Sequence, residues 1–148
     1  MNSLSQFMTQ DHEHCDTLFA DAENAVAQAN WQLATSSFQA FRNDTLRHFA
    51  REEDVLFPAF ETRTGMSGGP TFVMRSEHAQ VRDALNAMEQ ALETQDSQTY
   101  LGLSETLLML MRQHNLKEEQ ILYPMMDQAL GGEADALLSD MQNQAGGV

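Results

Sequence analysis

Displaced by 66 residues with no insertion, the sequence superposes His12 on His78, His48 on His114, and Glu52-Glu53 on Glu118-Glu119. The same displacement pairs Leu56 with Leu122, Pro58 with Pro124 and Gly65 with Gly131. Apolar positions coincide as well: Met8 with Met74, Cys15 with Val81, Phe19 with Leu85, Val26 with Leu92. Few other positions match, so the repeat is carried by particular residues. Two copies of one unit, each with an apolar stripe it cannot bury alone, predict two similar substructures packed face to face.

Each copy reads as helix. Ala, Leu, Met, Glu and Gln dominate, and period-2 alternation is missing. From about residue 10 to 29, Met8, His12, Cys15, Phe19, Ala22 and Val26 fall on one stripe with spacings of three and four. From about 70 to 94, Met74, His78, Val81, Leu85, Met88 and Leu92 do the same. Longer helices are expected over about 31–63 and 97–130, with Asn30 and Asp96 as N-caps and Pro70 in the first turn of its helix. The breaks are Thr62–Thr71, Gly131-Gly132 and a loose tail at Gly146-Gly147. Pro58 and Pro124 are expected to bend or break their helices. Short connections between long helices favour antiparallel neighbours. The expected fold is therefore all-α: an up-down four-helix bundle of two pseudo-symmetric hairpins, with a short terminal helix over 133–142. One domain spans 1–148, its core at about 10–130 and a short helix and tail over 131–148.

Composition narrows the function classes. Twenty-two acidic residues against eight basic ones leave a net charge of −14, which argues against nucleic-acid and anionic-membrane partners. A single cysteine, Cys15, excludes an internal disulfide framework. Residues 1–10 carry no basic and apolar signal pattern, and no apolar run is long enough to span a bilayer, so a cytoplasmic protein is expected.

Four of the five histidines sit at repeat-related positions on the core-facing stripes. A lone histidine on an apolar face is usually a packed residue. Here His48 and Glu52, and likewise His114 and Glu118, stand four apart on one helix face, in HFAREEDVLFPAF and HNLKEEQILYPMM. Two carboxylates pointing into a bundle need a cation beside them. Imidazole nitrogen with carboxylate oxygen suits first-row metals, iron first, with manganese or zinc less favoured. Two irons could share Glu52 and Glu118 as bridges, His12 and His48 binding one and His78 and His114 the other. An oxo or hydroxo bridge would complete five ligands on each metal and leave one octahedral position open.

The order His, HxxxE, His, HxxxE on four helices resembles a hemerythrin-like (HHE cation-binding) domain over about residues 10–130. The resemblance implies a non-haem di-iron site in a four-helix bundle, with His12, His48, Glu52, His78, His114 and Glu118 as ligands. Oxygen-carrying hemerythrins have a fifth histidine where this chain has Met74, and a bridging Asp at longer spacing where it has Glu118. The symmetric set looks more like di-iron proteins linked to nitric oxide stress and repair of iron centres, though the N-terminal cysteine-bearing domain of some repair proteins has no counterpart here. The expected function is binding of a diatomic ligand, dioxygen or nitric oxide, for sensing, storage or scavenging. The alternative is a di-iron enzyme or iron-centre repair protein acting under nitric oxide or oxidative stress. Whether the chain is an enzyme, whether a reductase serves it, and its oligomeric state are left open by the sequence.

Neighbouring residues read two ways. His14 lies off the stripe and is expected at the surface. Cys15 is expected as a small buried hydrophobe, the alternative being a redox-active thiol. Glu53 and Glu119, one residue past the bridging carboxylates, are expected on a solvated face, with support of the ligands or occasional ligation as the alternative. Asp11 and Glu77 could accept a histidine N–H or stand as surface acids. Tyr123 and Phe57 are expected in the core, with Tyr123 alternatively lining a ligand path, and the methionines as core filling.

Overall fold

The computed structural model describes residues 3–144; the Gly146-Gly147 tail lies outside them. Helix α1 (Leu4–Ala27) begins earlier than the stripe implies. Ser3 accepts from the Gln6 backbone N–H while the Gln6 side chain accepts from the Ser3 N–H, a capping box that satisfies two otherwise orphaned donors. Helix α2 (Trp31–Ala50) is capped by Asn30, as expected. It runs through a π turn at Arg51–Leu56 into α3 (Phe57–Thr64). Helix α4 (Pro70–Glu93) opens on its proline, and α5 (Ser97–Lys117) is capped by Asp96. A second π turn, Glu118–Leu122, leads into α6 (Tyr123–Leu130). A 3-10 turn over Gly131–Glu133 then starts the short α7 (Ala134–Gln142). No strand occurs among the described residues.

The prolines therefore do not break their helices. Pro58 and Pro124 have no N–H, and each ring crowds the carbonyl one turn back. The backbone absorbs this by widening just upstream, where the Phe57 N–H reaches Glu52 O and the Tyr123 N–H reaches Glu118 O across five residues.

The hairpin of α1 with α2 and that of α4 with α5 close into a bundle in which α1 faces α5 and α2 faces α4. The hairpin turns also follow the repeat. Ala29 and Gln95 are both left-handed, at φ 57° and 52°, and the next residues donate back to Ala25 O and Ala91 O. The apolar interior comes in two parts. One, toward these turns, holds Phe19, Phe38, Phe41, Leu85 and Tyr100. The other, toward the opposite end, holds Met8, Leu56, Phe60, Met74 and Met126, with α7 closing over it through Leu138 and Met141. Complete burial of such side chains contributes about 2 kcal/mol each. No helix among the described residues is long and apolar enough to cross a membrane.

Candidate metal centre

Between the two apolar regions lies a polar layer. The structure brings all six of the sequence-predicted site residues into it: His12, His48, Glu52, His78, His114 and Glu118, none more than 3% exposed. Two groups have ligand atoms within 4.8 Å of one another: Glu52, His78, His114 and Glu118 in one, His12, His48 and Glu118 in the other. Glu118 is common to both. Glu52 lies nearer His78, with Oε1 3.0 Å from His78 Nε2 and 3.5 Å from His48 Nε2.

All four histidines turn Nε2 toward the shared carboxylates and bind a further carboxylate through Nδ1. His48 meets Asp11 at 2.8 Å and His114 meets Glu77 at 2.8 Å, a repeat-related pair of contacts. His78 meets Glu53 at 2.6 Å and His12 meets Glu119 at 2.7 Å, a second such pair. Asp11 and Glu77 thus take the supporting alternative. Glu53 and Glu119 take the supporting alternative as well, while Glu119 keeps 35% exposure and Glu53 21%. On a regular helix they would be rotated about 100° from Glu52 and Glu118, whereas the π turns let both consecutive acids serve the layer. Cations hold three of these supports: Arg51 on Asp11 at 2.9 Å, Arg82 on Glu53 at 2.9 Å, and Lys117 on Glu77. Arg51 also donates to Met141 O at 3.1 Å, tying α7 to the layer.

Tyr123 is the residue whose part the sequence least reveals. Its hydroxyl lies 2.8 Å from Glu52 Oε2, 3.0 Å from Glu118 Oε1, 3.3 Å from His12 Nε2 and 3.4 Å from His48 Nε2. Its counterpart Phe57 stacks near His78 with centroids 5.9 Å apart and no hydroxyl. The only available signal was the Phe-to-Tyr difference within the repeat.

Electrostatics follow from burial and crowding. Burial and the Glu118 charge push Glu52 up. Burial also opposes ionisation of Glu118, but the close approach of Glu52, His114, His12 and His48 outweighs it and holds Glu118 well below the carboxylate range. The two carboxylates are thus driven apart, Glu52 upward and Glu118 downward. Burial lowers His114, yet the close Glu118 carboxylate and the charges of Glu118 and Glu52 bring it up to about 9. Burial, then the charges of Glu118 and Glu52, raise the Tyr123 phenol well above its ordinary value, so it stays protonated.

The layer is also incompletely satisfied. Among the described residues, Glu52 Oε1, His78 Nε2, His114 Nε2 and Glu118 Oε2 have no hydrogen-bond partner, although His78 Nε2 and Glu52 Oε1 approach closely. The approach has the distance of a hydrogen bond without its alignment, so proximity alone does not satisfy these atoms. Lone pairs converging at close range without mutual hydrogen bonds fit a common cation.

The sequence matches the hemerythrin HHE cation-binding domain over residues 3–126. This chain belongs to that family. Searches of curated proteins and of solved structures found no match to it. The buried His and Glu clusters of this hemerythrin domain fit a metal site. His14, half exposed and 2.5 Å from Asp44, stands apart at the surface. Cys15 is buried, and burial pushes its thiol up to about 11, which fits the small-hydrophobe reading over a reactive thiolate.

Tyr123→Phe keeps the ring, which Phe57 shows the layer accepts, and removes only the hydroxyl that bonds the carboxylates. In the metal-free hemerythrin domain this should cost about 2 kcal/mol, the scale of a hydrogen bond to a charged group, read as a lowered urea midpoint at unchanged m-value. An unchanged midpoint would mean the hydroxyl is not bonded to the carboxylates.

Proposed function

We propose that this hemerythrin domain holds a non-haem di-iron pair and binds a diatomic ligand, dioxygen or nitric oxide, for sensing, storage or scavenging. His12 and His48 would hold one iron and His78 and His114 the other, with Glu118 and Glu52 between them. When bound, iron supplies a redox-active Lewis-acid centre able to take a small electron-accepting ligand. Neutral imidazoles leave that centre cationic, and the carboxylates on their Nδ1 atoms fix each ring's tautomer and orientation.

The observation that carries the ligand-binding reading is a cavity of about 20 Å³ beside His12 and His48, walled by Cys15, Phe19, Phe41, Thr45 and Asn115. It is the size of one water-sized molecule, too small for an organic substrate. On the His78 side the corresponding volume is filled by Phe49, stacked on the imidazole at 3.8 Å. Ligand access is therefore assigned to the His12/His48 half.

The test is metal analysis of protein purified without chelators, with optical spectra of the reduced protein under argon, air and nitric oxide. Two irons per chain and reversible, gas-dependent spectra are expected. The full iron complement with identical spectra under all three gases would refute ligand binding.

A further inference from the structure

The six buried side chains lie between the two apolar regions, and the two repeat-related walls that flank them differ. Across α2 and α4, Phe49 covers His78, Arg82 lies 5.5 Å over the Phe49 ring, and the same arginine clamps Glu53. Across α1 and α5 the repeat puts Asn115 in place of Phe49 and Asp16 in place of Arg82. The aromatic lid and its cation are thereby exchanged for an amide and a carboxylate. Outside the cavity beside His12 and His48, this wall opens into a cleft of about 440 Å³, and Asp16 and Asn115 border both spaces.

Charge follows the same asymmetry. Glu119, which supports His12, is 35% exposed and forms no ion pair with Lys or Arg, unlike its counterpart Glu53. It lines the cleft with Asp16 and Glu23, against one cation, Arg112. Burial, and among charges the repulsion of Glu119, hold the Asp16 carboxyl above its ordinary value, as expected for acids that share a cleft. Inside, Thr45 is 1% exposed and lines the cavity, and among the described residues neither its hydroxyl nor Asn115 Oδ1 has a hydrogen-bond partner. Two unpartnered oxygens thus lie between the acidic mouth and the imidazoles.

We propose that the α1–α5 cleft is the loading route for ferrous iron, with Asp16 and Glu119 capturing the hydrated cation at its mouth and Thr45 and Asn115 offering oxygen contacts on the way to His12 and His48. This rests on the metal-binding reading above. A cleft lined by one sign of charge between low-dielectric walls raises the local concentration of the opposite ion and speeds its association by about 10- to 1,000-fold. Across α2 and α4 the Phe49 ring under Arg82 covers the imidazole instead.

Anaerobic uptake of Fe(II) by the metal-free full chain, followed by stopped flow, tests the route. Asp16→Arg installs the residue the repeat carries at position 82. It should slow uptake at least about tenfold and abolish the decline of the wild-type rate with added salt, while the final iron content is unchanged. Asp83→Arg, the same charge change at an exposed site on α4 that does not line the cleft, should load within about twofold of wild type. Equal rates for wild type and Asp16→Arg, equal slowing by the two variants, or a wild-type rate insensitive to salt would each overturn the route while leaving the metal site standing. No uptake by wild type would instead refute the metal-binding reading and the route with it.

Discussion

Glu118→Ala should lower the iron affinity of both halves of the layer by more than about a hundredfold, exceeding the usual effect of losing an outer support. The reason is position. Glu118 is common to both ligand groups, and its carboxylate lies 3.0 Å from His12 Nε2 and 3.3 Å from His114 Nε2. Losing any one histidine leaves the other half of the layer its own pair, whereas losing Glu118 takes an oxygen and a negative charge from both. Glu118→Gln keeps the volume and removes the charge, so it separates electrostatics from packing and should fail nearly as badly. His14→Ala is the control: half exposed and bonded to Asp44, it should leave the iron content unchanged. Metal analysis after equilibration with a competing chelator measures all three. Equal iron in Glu118→Ala and His14→Ala would contradict the assignment.

Removal of the metal should leave a protein whose stability falls as pH rises above neutrality. In the metal-free layer, burial opposes the charged form of His48, but the Glu52 charge and the Asp11 hydrogen bond override it and raise His48 well above 6.5. His78 is raised likewise against its burial, by the adjacent Glu52 carboxylate and the hydrogen bond to Glu53, and His114 reaches about 9. A histidine whose pKa is higher folded than unfolded binds its proton more tightly in the native state. Its stabilisation is complete below the unfolded value of about 6.5 and is lost as pH climbs through the folded value. For His114 alone that is about 3 kcal/mol, or on the order of 10 °C in Tm for a chain of this size. Glu118, held low, acts in the opposite direction, its contribution disappearing as acid protonates it below about 4.5. The chelator-stripped protein should therefore be most stable between about 4.5 and 6.5 and lose Tm steadily toward 9. The iron-loaded protein, whose imidazoles are neutral already, should show no such alkaline fall. Calorimetry on both forms across this range decides it, and parallel curves would mean the histidines are not proton-loaded without metal.

Much of this was legible in the sequence, and the gaps have physical causes. The four long helices follow from the His- and Met-bearing stripes and from Asn30, Asp96 and Pro70 at their starts. The convergence of the six His and Glu side chains follows from the 66-residue repeat, because two copies packed face to face turn equivalent positions toward one layer. The early start of α1 was written in Ser3 and Gln6, a capping pair that stripe analysis does not weigh. The supporting contacts of Glu53 and Glu119 are hard to see on a helical wheel, which assumes a constant step of about 100° that a π turn violates. Pro58 and Pro124, six residues after Glu52 and Glu118, were the available clue, but a proline signals a disturbed ladder without saying how the disturbance is absorbed. The Tyr123 hydroxyl and the α1–α5 cleft were illegible for a different reason. Both arise where the halves differ, at Tyr123 against Phe57, Asn115 against Phe49 and Asp16 against Arg82, whereas a repeat directs attention to where they agree.

The four Nδ1 contacts have a consequence as a set. His48–Asp11 joins α2 to α1, and His114–Glu77 joins α5 to α4. His12–Glu119 joins α1 to the turn after α5, and His78–Glu53 joins α4 to the turn after α2. Every side of the bundle is crossed once, so the bonds form a closed hoop around its waist. No helix can twist or slide without straining two links of that hoop. The spacing of the cage is thus fixed in the protein before any ion arrives, and an ion must conform to the cage rather than mould it.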